Sequence, residues 1–220
     1  ATGPAGIVLG GGLLAGETAG DAPAHVLLAA VGDDVAVVDI GATGTKEGVT
    51  VELPPNLDPT RRSTRIWLND APATLLPGAR PVLVDLARTI LAAEATGVAR
   101  ECTRTASEYA KIREQFGRPI GTFQAVKHHC ANMLVAAELA TAAVWDAARA
   151  TTAGPDQRAY TAAMAATLAP AAAEQNAQLN IQVHGGIGFT WEHDAHLYVR
   201  RASAIAALLG RDATAVDVTN

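Results

Sequence analysis

Arginine, glutamine and phenylalanine side chains concentrate in the stretch REQFGRPIGTFQ, residues 113–124, which separates two long alanine-rich segments. A second polar strip, QVHGG, covers residues 182–186 and ends in two glycines. Each strip alone is explained by the end of a helix, where a basic side chain near the last carbonyls and a following glycine are common. That explanation does not account for both strips in one chain. We therefore interpret the two strips as parts of one ligand-binding surface.

Histidines cluster around the second strip and raise the question of a metal site. His193 and His196 are three residues apart, share a helix face and can in principle bind a metal together. No third ligand stands nearby in the sequence, and protein metal sites need three or four ligands. We therefore favour surface or helix-capping histidines and predict no metal site.

The composition narrows the class of protein. The net charge of −5 argues against a nucleic-acid partner, because binding to phosphates needs a basic face. No apolar run approaches the roughly 18 residues of a membrane span, and the N-terminal segment lacks the basic start of a signal peptide. Cys102 and Cys130 are predicted to be buried thiols in a reducing compartment, so the predicted location is cytoplasmic.

The glycine-rich start, GIVLGGGLLAG, resembles a dinucleotide-binding fingerprint, with Gly10, Gly12 and Ala15 at the expected spacing. That chemistry needs a helix directly after the glycines, because the pyrophosphate sits on the helix N-terminus. Here more glycines and Pro23 follow, and they would break such a helix. A glycine-rich strand and turn is the favoured interpretation, and a nicotinamide site is the rejected alternative.

The first part of the chain is rich in Gly, Pro, Thr and Asp and predicts short antiparallel strands. Two of them flank the turn sequence GDD as a hairpin. The predicted strands are 25–31, 35–40, 48–53 and 63–68. We assign residues 1–78 to a small, partial β-domain.

From Pro81 onward apolar residues recur at helical spacing. Long helices joined by short links predict an antiparallel bundle. The predicted helices cover 81–112, 123–150 and 156–183, with Pro170 as a possible kink, followed by a shorter helix from Trp191 with Thr190 as its N-cap. The fold class is therefore α+β, mainly α: a four-helix bundle over residues 79–220, preceded by the partial antiparallel β-domain.

Two long segments resemble the acyl-CoA dehydrogenase family. SEYAKIREQFGRPIGTFQAVKHHCANM and NIQVHGGIGFTWEHDAHLYVRRA are similar to the C-terminal four-helix domain of that family, over about residues 80–210. LDPTRRSTRIWLNDAPATLL is similar to the end of its middle β-domain. The resemblance implies an FAD-dependent oxidoreductase of lipid metabolism, in fatty acid or steroid degradation. Such an enzyme desaturates an acyl-CoA thioester between its α and β carbons, with a glutamate as the base.

The resemblance also implies roles for the two strips. They would contact the ADP side of an FAD that is held mainly by a neighbouring subunit. Arg113 would pair with the pyrophosphate, since a guanidinium stays charged and offers forked donors. Gln115 would add a polar contact, Phe116 would pack on the cofactor, and Gln124 would bind near the adenine. The rest of the implied cofactor surface is Gln182, His184 through its backbone, Gly185 and Gly186.

The catalytic glutamate of the family has no counterpart at the expected positions. Its two known places correspond to Ala87, before Arg88, and to Leu209, before Gly210. Glu94 is the nearest acidic residue on the first helix and lies about two turns beyond Ala87 on the same face. A polar contact between helices is the favoured interpretation of Glu94. Asp85 points to another face and is a weaker candidate.

Members of the family are nearly twice as long, so we expect either a fragment or a shortened subunit. The chain resembles the base-less subunit of heteromeric steroid and acyl-CoA dehydrogenases. The expected partners are acyl-CoA dehydrogenase-type subunits in a homo- or hetero-oligomer, an acyl-CoA substrate and an acceptor like electron-transfer flavoprotein. We interpret Arg200 and Arg201 as solvated rather than as a CoA phosphate clamp. The alternative function is a non-enzymatic assembly module of the same fold that binds no flavin.

Overall fold

A computed structural model describes residues 26–39, 46–52, 57–60 and 65–210. The chain divides into two compact units, Ala1–Val84 and Asp85–Asn220. The glycine-rich segment with Gly10, Gly12 and Ala15 lies outside the described residues. The predicted boundary after residue 78 stays a prediction.

The first unit contains two small antiparallel sheets. Strand β1 (Val26–Val31) pairs with β2 (Asp34–Asp39), and β2 pairs with β5 (Ala73–Leu76). Strands β3 (Val49–Glu52) and β4 (Arg65–Leu68) form the second sheet. Alternate residues of β1 are buried, as expected for a sheet with one covered face, whereas the central strand β2 buries Val35, Ala36 and Val38. The predicted hairpin is confirmed, whereas β5 was not predicted because its four residues are all exposed and show no alternation.

The second unit is a bundle of four helices. They are α1 (Arg80–Ile112), α2 (Gln124–Arg149), α3 (Pro155–His184) and α4 (Ala195–Leu209), and α1 begins in the first unit. Pro155 occupies the first turn of α3, where its missing N–H is not needed. Helix α3 continues through Pro170 and ends at Gly185, whose φ of 62° favours glycine. The predicted mainly helical α+β fold is confirmed.

Alanine dominates the interior of the bundle. Ala92, Ala95 and Ala99 of α1 are fully buried, and α3 contributes a similar row of buried alanines. Met133 and Ile205 are among the few large apolar side chains that are fully buried in this unit. Small side chains let helix backbones approach closely, but they give few shaped contacts to fix one helix against another.

The start of the last helix differs from the prediction. A 3₁₀ turn, Gly185–Phe189, follows α3, and the Thr190 hydroxyl donates a hydrogen bond back to the Ile187 carbonyl at 2.9 Å. Helix α4 begins only at Ala195, whose N–H donates to His193 Nδ1 at 3.1 Å. The prediction of a helix from Trp191 with Thr190 as N-cap is wrong. Thr190 closes the preceding turn, and the His193 ring accepts the helix N–H instead.

Candidate functional site

The first polar strip folds into a projecting hairpin at the end of α1. Strand β6 (Glu114–Gln115) pairs with β7 (Arg118–Pro119) in an antiparallel register. The two turn residues, Phe116 and Gly117, have φ values of 53° and 75°, which is typical of a type I′ turn. Phe116 is 92% exposed, so the hairpin presents an aromatic side chain at its tip.

The hairpin is fixed to the helix that precedes it and to the loop that follows. The Arg113 N–H donates to the Tyr109 carbonyl at 2.9 Å, and the Ile120 N–H donates to the Arg113 carbonyl at 2.8 Å. The Arg118 guanidinium lies 4.3 Å from the centroid of the Phe123 ring, a cation–π contact. These contacts hold the Arg113 backbone in place while its side chain stays exposed.

His184, in the second strip, is turned into the bundle. Its Nδ1 lies 2.8 Å from the Asn180 carbonyl oxygen, which can only accept, so Nδ1 carries the proton. One face of the ring stacks on Tyr109 at 4.3 Å, and the ring centroid of His193 lies 4.4 Å away. Burial lowers the pKa of His184, and the nearby His193 lowers it further against the raising effect of the Asn180 hydrogen bond. The side chain of His184 is therefore engaged inside the bundle.

The Tyr109–His184 stack brings the two strips to one end of the bundle. Tyr109 lies one turn before Arg113 at the end of α1, and His184 directly precedes Gly185 at the end of α3. Gln124 begins α2 directly after the loop that follows the hairpin. The predicted site residues with exposed backbone or side chains at this end are Arg113, Gln115, Phe116, Gln124, Gln182 and Gly186.

This end of the bundle is an open polar surface whose donors suit phosphate and ring contacts. A guanidinium, three amides and an aromatic ring can hold one side of an ADP group. At Gly186, no heavy atom of the described residues lies within 4 Å of a Cβ placed on the backbone. Internal packing therefore does not require a glycine at this position, whereas a ligand that approached the backbone closely would require one. The residues fit one edge of FAD rather than an enclosing pocket.

Both acidic residues considered as bases are engaged by arginines. Arg201 of α4 donates to Glu94 Oε1 at 2.8 Å, and Arg158 of α3 donates to Asp85 Oδ2 at 3.0 Å. The interpretation of Glu94 as a polar contact between helices is confirmed. The prediction of a solvated Arg201 is wrong, because α4 turns this side chain inward to α1, where it is mostly buried. The guanidinium of Arg200 lies 5.0 Å from the centroid of the Trp191 ring.

A cavity of about 280 Å³ lies between α3 and the end of α4. Its walls include Pro170 and alanines of both helices, together with Leu209 and Glu174. Pro170 precedes the glycine strip by about four helical turns, so this cavity is separate from the polar end of the bundle.

Within residues 26–39, 46–52, 57–60 and 65–210, no three His, Cys, Asp or Glu side chains come together as a metal site would require. His193 and His196 instead serve the start of α4: His196 Nδ1 donates to the His193 carbonyl at 2.8 Å. None of the helices in the described part of the chain is long and apolar enough to cross a bilayer.

Comparison with a family model matches residues 83–219 to the acyl-CoA dehydrogenase C-terminal domain. The acyl-CoA dehydrogenase FadE34 of Mycobacterium tuberculosis (strain ATCC 25618 / H37Rv) is 48% identical over 196 residues, which cover 89% of this chain and 27% of that protein. The chain spans between 27% and 56% of the length of the first three curated relatives it matches.

Solved structures agree with this match. A variant of the Tcur3481-Tcur3483 steroid ACAD superposes with a TM-score of 0.78 at 29% identity, over 88% of this chain and 53% of that one. The ChsE4-ChsE5 complex from Mycobacterium tuberculosis gives a TM-score of 0.73 at 26% identity, over 88% and 54% of the two chains. The name of each of these two proteins joins two chain designations.

Proposed function

The chain belongs to the acyl-CoA dehydrogenase family, and from that premise we propose that it contributes the ADP side of an FAD site shared between subunits. The whole assembly would desaturate an acyl-CoA thioester between its α and β carbons. The observation that carries the proposal is the Tyr109–His184 stack, with ring centroids 4.3 Å apart. It joins two strips that are far apart in the sequence, and it leaves Arg113 and Gly186 exposed at the same end.

Each residue of this end has a task that follows from its chemistry. The Arg113 guanidinium would bind the pyrophosphate through charge-assisted hydrogen bonds, because its backbone is already held by Tyr109 and Ile120. Gln115 and Gln124 would orient the adenosine with amide hydrogen bonds. Phe116, at the exposed tip, would cover an aromatic face of the cofactor and exclude water. The flavin of bound FAD supplies the redox chemistry by accepting a hydride.

We further propose that this chain does not supply the catalytic base. Alanine and leucine stand at the two base positions, Ala87 and Leu209, and neither can accept a proton. Glu94 is engaged by Arg201, and Asp85 is engaged by Arg158 while almost completely buried. A base must come within hydrogen-bond reach of the proton it removes, and both carboxylates are committed to contacts between helices. The base would then come from a partner chain.

An oligomer of acyl-CoA dehydrogenase-type subunits is the proposed context. The side of α2 that faces away from the bundle is unusually apolar, and exposed apolar patches mark interaction sites. Its large exposed side chains are Leu134, Val135, Leu139 and Trp145, with exposures of 53–65%. The two-chain neighbours favour a heteromeric assembly, and the steroid ACAD among them favours a bulky, steroid-linked acyl-CoA as substrate. Electron-transfer flavoprotein or a similar protein would accept the electrons.

The test is the visible absorption spectrum of the purified chain, alone and after co-expression with a full-length family member. Flavin absorbance that appears only with the partner is the expected result. Arg113→Ala should weaken FAD binding by about 10- to 100-fold, since a hydrogen bond to a charged group contributes about 1.5–3 kcal/mol. Arg149→Ala is the matched control, because this exposed arginine lies at the end of α2 remote from the strips.

The alternative proposal, an assembly module without flavin, predicts different results. Co-expressed partner would co-purify through the α2 surface, no flavin absorbance would depend on this chain, and Arg113→Ala would change nothing. Equal loss of flavin in the Arg113→Ala and Arg149→Ala variants would also contradict a specific role for Arg113.

A further inference from the structure

Polar and aromatic side chains join α1 to α3 in the interior of the bundle. We call this set of side chains the polar ladder: Thr103, Thr105 and Tyr109 on α1, with Asn176, Asn180 and His184 on α3. The three residues on α3 are four positions apart, so they lie on one face of the helix, and all three are buried.

The contacts of the polar ladder follow one register along both helices. Asn176 Nδ2 donates to the Ala99 carbonyl at 3.2 Å and to Thr103 Oγ1 at 3.1 Å, over sequence separations of 77 and 73 residues. Thr105 Oγ1 donates to Asn180 Oδ1 at 3.1 Å, over 75 residues. The Asp85–Arg158 ion pair, 73 residues apart, extends the same offset to the other end. A nearly constant offset means that α1 and α3 run parallel in a single register.

Alanine alone cannot select this register. The buried face of α1 contains Ala92, Ala95, Ala99 and Ala106, and that of α3 contains a comparable row. A slide of α3 along α1 by one helical turn, about 5.4 Å, would bring one alanine methyl group to the place of another. Directional contacts distinguish the two arrangements: the Asp85–Arg158 pair at one end of the helices and the polar ladder at the end that carries the two strips.

Asn176 Nδ2 also donates to the Met133 carbonyl of α2 at 2.9 Å, but the polar ladder is not a fully satisfied network. Asn176 Oδ1 and Asn180 Nδ2 are buried, and neither has a hydrogen-bond partner among the described residues. An unpaired buried amide atom carries a desolvation penalty. The hydroxyls of Thr103 and Thr105 also contact carbonyls of their own helix, at 2.8 Å from Ala99 and 3.0 Å from Glu101. Removing both asparagine side chains would therefore leave these hydroxyls satisfied.

We propose that the polar ladder sets the register of α3 against α1, and that Asn176 and Asn180 are positioning residues for the cofactor end of the bundle. This inference rests on the proposed FAD function. Its consequence is geometric, because Tyr109 leads into the Arg113 hairpin and His184 leads into the glycine strip. A one-turn slip would displace Gly186 from the hairpin by about 5.4 Å, farther than any hydrogen bond to a shared ligand tolerates.

The decisive variant is Asn176→Ala/Asn180→Ala in the full chain. Its matched control is Gln175→Ala/Gln178→Ala, which removes two exposed amides from the same helix. Three quantities are measured: the urea midpoint of unfolding, the dissociation constant of FAD in the co-expressed assembly, and the NMR signals of the His184 ring. Stacking on Tyr109 at 4.3 Å shifts those ring signals upfield, so they report the register without any flavin.

We expect the ladder variant to bind FAD at least about tenfold more weakly and to lose the upfield shift of His184, while its urea midpoint falls because buried hydrogen bonds are lost. The control should match the parent in all three. An unchanged His184 shift in the ladder variant overturns the proposal, whatever happens to the flavin. If the parent binds no FAD but the His184 shift is lost in the variant, the register role stands and the FAD function fails. If the double variant does not fold, the same three quantities are measured on Asn180→Ala, which keeps the Asn176 contacts.

Discussion

Two glycines after α3 allow folding and ligand binding to be tested separately. A Cβ at Gly188 would lie 2.8 Å from the Ile181 carbonyl oxygen and 3.0 Å from His184 Cβ. At Gly186 the space around an added Cβ holds no described heavy atom within 4 Å, and φ is not positive. We expect alanine at Gly188 to damage the fold and alanine at Gly186 to damage cofactor binding alone.

The magnitudes follow from these distances. The oxygen of Ile181 would have to retreat by roughly half an ångström to reach an ordinary C···O contact, and it belongs to the backbone of α3. Such overpacking costs about 1–3 kcal/mol in the free energy of unfolding. Gly186→Ala should instead stabilise the chain by about 0.4–1 kcal/mol, because alanine restricts the unfolded state and meets no obstacle.

Urea unfolding of both variants measures the first effect, and flavin retention in the co-expressed assembly measures the second. Gly186→Ala should lower FAD affinity by about tenfold or more, since a methyl group blocks close approach of the pyrophosphate to the backbone. If Gly186→Ala retained FAD like the parent, the glycine strip would not approach the cofactor. If it unfolded as easily as Gly188→Ala, the argument from the space around the two glycines would be wrong.

Three further predictions concern the bundle interior. Arg158→Met should destabilise the chain by about 3–5 kcal/mol in urea unfolding, because Asp85 would stay buried without its ion pair, and adding Asp85→Leu should restore most of the loss. Burial lowers the pKa of His184 below its usual 6.5, so the unfolded state takes up a proton at a higher pH than the folded state does. The free energy of unfolding should therefore fall as the pH drops from 7 through 6.5 towards that lower pKa. Urea unfolding at several pH values should show a flatter dependence for His184→Phe. Burial raises the pKa of the Cys102 thiol to about 12, so a thiol reagent at pH 8 should modify Cys130 first, and mass spectrometry that found Cys102 modified in the folded chain would contradict its burial.

The helices were predictable because their signals are local. Pro155 at a first helical position and Gly185 after a last one mark the ends of α3, and apolar spacing fills the interval. The hairpin β1–β2 was predictable for the same reason, since the residues between its strands favour a tight turn. Strand β5 gave no such signal, because all four of its side chains are exposed and its pairing with β2 depends on distant residues.

The residue types that make up the candidate site can be recognised in the sequence, whereas their arrangement cannot. Arg113 and Gly186 carry chemistry that can be recognised from residue type, whereas the hairpin at Phe116 depends on two positive φ values in succession. The inward turn of Arg201 was missed, because its partner Glu94 lies 107 residues away and no local pattern relates them. Thr190 was misassigned because a threonine hydroxyl can hydrogen-bond the nearby backbone both as an N-cap and at the end of a 3₁₀ turn, as it does here.

The length of α4 bears on the proposal that this chain supplies part of a cofactor site without supplying the base. Helix α4 carries the chain from Ala195, beside the glycine strip, to Leu209, and its 15 residues span about 22 Å. Gly186 and Leu209 therefore lie too far apart to touch one small group together. Selection on the cofactor end and selection on the base position can then act independently. A subunit can lose the glutamate at one end while Arg113 and Gly186 at the other continue to complete a site on its neighbour, which is the division of labour proposed for this chain.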